Sequence, residues 1–152
     1  MTYRVWTPQI PTVDLWNLND QDLKITSNGA VKTVWNLSAI QSALAAPEPL
    51  PVSFSTKCAV EMKEKLNWSP ADAIQYLKVL SPGRYKGSSW CYAPKGNTPH
   101  AADSYVMGFN RFQGLEAQPL SPWIFVKFAM IGSNLDKLFM FSAHPEGQFD
   151  EE

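Results

Sequence analysis

Cysteine is scarce in this chain. Cys58 and Cys91 are the only two, they form no Cys-x-x-Cys pair, and no histidine stands at ligand spacing from either. A zinc site is therefore not expected, and neither is any other cofactor. Long apolar runs are also missing. No window approaches the ~18 apolar residues of a membrane-spanning helix. The opening Met-Thr-Tyr-Arg-Val-Trp lacks the basic region and apolar stretch of a secretory signal. A cytoplasmic chain with no membrane partner and with reduced thiols is the expectation. Charge of one sign is lacking too: the net charge is −1, so no global field draws the chain to nucleic acid. There is no internal repeat and no low-complexity tract.

Core material is present in quantity. Six Trp, eight Phe and five Tyr in 152 residues suffice for one domain's interior. The local charge pattern says more than the total. Residues 81–144 carry six cations (Arg84, Lys86, Lys95, Arg111, Lys127 and Lys137) against Asp103, Glu116 and Asp136. Glu146, Asp150, Glu151 and Glu152 follow without a base. A mildly basic segment with an acidic tail fits an anionic ligand, although a mixed solvated surface has the same composition.

Helical spacing runs through residues 30–46, with apolar positions at 31/34/35 and 40/43/44. Pro47, Pro49 and Pro51 then predict an extended linker. This is the expected boundary between an N-terminal extension, 1–51, and a core, 52–152. A second helix is predicted from Ser55 or Thr56 to Leu66, with Cys58, Met62 and Leu66 on one face. Ser69-Pro70-Ala71-Asp72 opens a third, with Ser at N-cap, Pro at N1 and an acid at N3. Its expected stripe is Ile74, Leu77 and either Tyr76 or Leu80.

The period then changes. Residues 90–92, 104–109, 123–131 and 135–144 read as strands, with loops over 94–103 and 111–122 and a turn at Gly132-Ser133-Asn134. The predicted fold class is α+β, with helices packed on one face of a small antiparallel sheet of about four strands.

Alternation places Phe125 and Lys127 on one side of their strand, and Met140, Ser142 and His144 on one side of theirs. If these sides coincide, an ammonium, a hydroxyl, an imidazole and an aromatic ring share a surface. The turn carrying Arg84, Tyr85 and Lys86 can reach it. Such a set suits RNA cleavage without a metal, in which the 2′-hydroxyl attacks the neighbouring phosphorus. The imidazole of His144 suits either proton role, taking or giving. Arg84, Lys86 and Lys127 can hold phosphate. Trp90, Tyr92 or Phe125 can stack a base. Each residue also has a plainer role: solvated strand end for His144, solubilising charge for Lys127 and the turn cations, core for Trp90. His100 reads as loop surface, Cys91 as a small buried residue, and Asp103 and Glu116 lack the spacing of paired catalytic carboxylates.

Residues 57–144 resemble the MqsR branch of the RelE-like toxin superfamily. The resemblance rests on Ser81-Pro82-Gly83-Arg84-Tyr85-Lys86-Gly87-Ser88, then Trp90, Phe125-Val126-Lys127-Phe128 and Phe141-Ser142-Ala143-His144. It implies a RelE/MqsR-like fold and an mRNA-cleaving toxin, ribosome-associated or acting on free mRNA, with a cognate antitoxin as partner. Lys86 and His144 would be catalytic, and Arg84, Tyr85, Trp90 and Lys127 would bind RNA. The chain departs from the pattern at Cys91, where the family often has Gln, and at Phe125, where it often has Tyr. Residues 1–55 lie outside the resemblance. Two other readings stand beside it: a non-enzymatic protein-interaction chain, such as a phage or plasmid inhibitor, and a binding module for single-stranded nucleic acid.

Overall fold

Ser69 and Asp72 form the capping box their spacing predicts. Asp72 N–H donates to Ser69 Oγ (3.3 Å), and Ser69 N–H donates to Asp72 Oδ2 (2.8 Å). Helix α3 (Pro70–Val79) starts there in this computed structural model, which describes residues 3–10, 24–25, 32–92, 99–117 and 123–146. Two further helices precede it. Helix α1 (Leu37–Leu44) is capped by Asn36, and α2 (Thr56–Glu61) by Ser55. Helix α2 then widens into a π-helical turn, Met62–Leu66, which Asn67 ends in the left-handed conformation at φ 56°.

The strands are β1 (Lys24–Ile25), β2 (Val52–Phe54), β3 (Tyr85–Tyr92), β4 (Pro99–Asn110), β5 (Leu115–Glu116), β6 (Trp123–Ile131) and β7 (Lys137–Pro145). They form one sheet in the order β1-β3-β4-β6-β7-β2, with β5 paired to β4. The α+β class is as expected, but the sheet is larger and is not wholly antiparallel. Strand β2, in the stretch after the proline segment, runs parallel to β7 at the sheet edge. The expected loop at 94–103 is shorter: β4 begins at Pro99, because residues 99–103 pair with β3. Leu115 and Glu116, expected in a loop, pair with Asn110 and Phe109. The helix expected over 30–46 begins only at Leu37. Before it Val34 lies in a bend, and Trp35 bridges Arg4. The Asn28-Gly29 turn lies outside the described residues.

One face of the sheet carries Tyr105, Met107, Val126 and Phe128, all essentially buried. Helix α3 packs here: Tyr76 donates its hydroxyl to Ile124 O (2.9 Å), and Trp68, Tyr76 and Phe109 meet ring to ring. The stripe of α3 is therefore Ala73, Tyr76 and Leu77, while Ile74 is only half-buried. Residues 34–44 pack into the same interior, where Val34, Trp35, Ile40 and Leu44 join the common core. The 1–51 and 52–152 segments thus share one hydrophobic core.

Asp103 ties them together. It is 0% exposed and accepts from Val34 N (3.1 Å), Trp35 N (2.9 Å) and Ser88 Oγ (2.6 Å). Trp35 Nε1 donates to Ala101 O nearby (2.8 Å). Burial raises the Asp103 carboxyl above the usual aspartate value, against the downward pull of those three bonds. Helix α2 lies along the edge of β7 beyond the end of β2. Glu61 accepts from Ala143 N (3.1 Å), satisfying a strand-edge donor that β2 does not reach.

Candidate functional site

Register decides which side chains meet on the sheet's far face. Strand β6 pairs Phe125 with His144 and Lys127 with Ser142; on its other side it pairs Phe125 with Val106 and Lys127 with Ser104. Directly opposed residues share a face, so two adjacent rows form: Val106–Phe125–His144 and Ser104–Lys127–Ser142. The expected grouping of Lys127, Phe125, Ser142 and His144 is present. Met140 is not part of it. A bulge in β7 leaves Phe141 without a partner, so Phe128 opposes Met140 and the alternation reverses. Met140 is fully buried in the core.

The far face is only partly open. Phe125, Lys127 and His144 are half-buried, whereas Ser142 is 4% exposed and accepts from Lys57 Nζ (3.1 Å). That bond uses one acceptor position of the hydroxyl. The His144 ring stacks on Phe125 at 5.0 Å and 24°. Its Nδ1 lies 2.7 Å from Pro145 O. A carbonyl oxygen only accepts, so Nδ1 carries the hydrogen and Nε2 is the free ring nitrogen. Lys127 Nζ lies 5.9 Å from the Phe125 ring centre on this face.

Beside these rows lies a cleft of about 580 Å³. Gly83, Arg84, Tyr85 and Lys86 form one wall; Val106, Trp123 and Phe125 form another; Glu146 completes the lining. A short 3₁₀ turn, Pro82–Arg84, delivers the first wall. The β3–β4 register then slips between Tyr85 and Gly87, so Lys86 occupies a bulge and is exposed. Gly87 takes φ 155° there, which a residue with a Cβ rarely adopts.

Arg84 is held on two sides. Its Nε and Nη2 donate to Glu116 Oε2 (3.0 and 2.5 Å), and its guanidinium lies 5.1 Å from the Trp123 ring centre. Ser81 donates to the other Glu116 oxygen at 3.2 Å. The pair is half-exposed, so its net stabilisation is modest, about 1 kcal/mol or less. Its stronger effect is to fix the direction of the guanidinium.

The structure gathers Arg84, Tyr85 and Lys86 at the cleft, with Lys127 and His144 in the adjoining rows. It does not bring Trp90 there. Trp90 is 8% exposed, on the same face of β3 as Ser88 and opposite Ala101, so it is core and not a base-stacking platform. Tyr92 shares that face. The Tyr85 hydroxyl is turned toward Ser88 (2.6 Å) and Lys32 O (3.3 Å), and burial raises its pKa. Cys91 pairs across the strands with His100, whose pKa burial lowers. Both thiols are free, and burial pushes that of Cys58 up to about 12.

Three site residues escaped the sequence reading. Trp123 and Glu146 were legible by alternation, since each stands two residues from an identified site residue on its own strand path. Glu116 had no sequence signal as the partner of Arg84, because β5 interrupts an expected loop. Among the described residues, no three His, Cys, Asp or Glu side chains converge as metal ligands, and no helix is long and apolar enough to cross a membrane. No family model matches the chain, and neither a curated protein nor a solved structure does.

Proposed function

We propose that this chain is a metal-independent endoribonuclease with a RelE-like fold, a toxin that cleaves mRNA and is neutralised by a cognate antitoxin. One observation carries the reading: Lys127, Phe125 and His144 share a sheet face beside a cleft containing Arg84, Lys86 and Trp123. Cations and half-buried rings in one groove suit single-stranded RNA, whose phosphates and unstacked bases need both.

The chemistry follows from the groups present. Nε2 of His144 takes the 2′-hydroxyl proton, and the 2′-oxygen attacks phosphorus. The Lys86 ammonium meets the charge developing on the phosphorane and protonates the departing 5′-oxygen. The P–O5′ bond breaks, leaving a 2′,3′-cyclic phosphate and a 5′-hydroxyl. Phe125 supplies stacking where the family that the chain resembles often has a tyrosine hydroxyl, so proton transfer falls to His144 and Lys86.

The test is incubation of the purified chain with end-labelled single-stranded RNA in EDTA. Cleavage fragments ending in 2′,3′-cyclic phosphate support the reading. Intact RNA in EDTA, together with intact mRNA on ribosomes in magnesium buffer, would overturn it. A second reading, a non-enzymatic protein-interaction chain, is favoured by the loop after β4. There Phe112 is 87% exposed beneath the Arg111 guanidinium (4.6 Å) and Leu115 is exposed nearby. It calls for a stable protein complex that Phe112→Asp weakens, with no RNA cleavage.

A further inference from the structure

Two charged groups at the cleft have no partner among the described residues. Lys86 and Glu146 take part in no ion pair or side-chain hydrogen bond among the described residues, whereas Arg84 is committed to Glu116. The backbone of Glu146 is fixed, since its N–H donates to Trp123 O (2.7 Å). The cleft therefore offers a free cation on the β3 side, a free carboxylate just past the end of β7, and the rings of Trp123 and Phe125 on β6, which lies between β3 and β7 in the sheet. A ligand that uses all of these is anionic at one end, flat in the middle, and a hydrogen-bond donor at its far edge.

We infer that the cleft is a single-nucleotide pocket that selects guanine, with the phosphate on Lys86, the base against Phe125 or Trp123, and the Glu146 carboxylate on the base edge. This rests on the RNA reading above and names the base it favours. The selectivity follows from donor patterns. A carboxylate accepts only, through two oxygens side by side. Guanine presents two parallel donors, N1–H and N2–H, and both can be accepted at once. Adenine and cytosine each present one amino donor beside a ring nitrogen acceptor. Uracil presents one N–H between two carbonyls, which a carboxylate repels. The expected order is guanine first, adenine and cytosine next, uracil last.

The experiment is calorimetric titration of the full chain with guanosine, adenosine, cytidine and uridine 3′-monophosphates and with inorganic phosphate. Guanosine monophosphate should bind at least about tenfold more tightly than the uridine compound. Glu146→Gln should bring the four nucleotides within about twofold, because one acceptor is replaced by a donor. Lys86→Met should weaken all four alike and keep their order. Equal binding of the four nucleotides by the unaltered chain would overturn the inference without any variant. So would an order that Glu146→Gln leaves unchanged. Guanine-selective binding without RNA cleavage would sustain the pocket and remove the nuclease. Cleavage with no guanine bias at the cut sites, together with equal nucleotide binding, would sustain the nuclease and remove the pocket.

Discussion

Lys86 projects from a bulge into solvent beside the cleft, and the His144 ring is oriented through Nδ1 by its neighbour's carbonyl. Neither side chain holds up the core, so each can be altered with little structural cost. Lys86→Met and His144→Gln should each lower the RNA cleavage rate about 10²- to 10⁴-fold, the usual loss when a proton-transfer group is removed. Their thermal midpoints should stay close to that of the unaltered chain; measured rates with parallel melting curves check this. Asp103 is the contrasting residue. The folded chain holds its proton to higher pH than the unfolded chain does. Its contribution to stability is therefore greatest at low pH, and it declines as pH rises from the ordinary 3.8 through the raised folded value. Asp103→Asn removes that dependence and sets an amide NH₂ against the backbone donor of either residue 34 or residue 35, which bond to different carboxylate oxygens, at a cost of about 1–3 kcal/mol. Urea unfolding between pH 4 and 7 should show the stability gap between the two proteins narrowing as pH rises; parallel curves would contradict the assignment. Sequence pattern alone misses Asp103, because its three donors come from residues 15, 68 and 69 positions away.

Among the elements, those with local rules were the most legible. The Ser69–Asp72 box and Pro70 define the start of α3 by chemistry contained within four residues. Ser69→Ala should therefore cost about 1 kcal/mol, readable as a lowered urea midpoint with an unchanged slope. Strand β6 was equally legible, since its nine residues match the predicted bounds. Elements defined by distant partners were not. Strand β2 exists because Val52–Phe54 finds the edge of β7, and β5 because Leu115–Glu116 finds the end of β4. The β7 bulge also escaped simple alternation. It placed Met140 in the core while leaving Ser142 and His144 opposite Lys127 and Phe125, so the candidate face survived on the part of the strand that mattered.

Across the whole molecule, the proline-rich stretch marks a change of direction, while the hydrophobic core runs continuously past it. Trp35 is almost fully buried and bonds to Ala101 O, so an N-terminal residue and the sheet share one interior. Trp35→Ala should cost about 3–5 kcal/mol. The unaltered chain should unfold in a single transition, with tryptophan fluorescence and far-ultraviolet circular dichroism coinciding; two separated transitions would show independent units. The proposed ribonuclease acts on mRNA in the cell. Its most direct test is induced expression in bacteria of the unaltered chain beside the Lys86→Ala/His144→Ala double variant, following growth and total mRNA integrity. Growth arrest with mRNA loss is expected for the first and neither for the second. Normal growth with intact mRNA on expression of the unaltered, folded chain would contradict it.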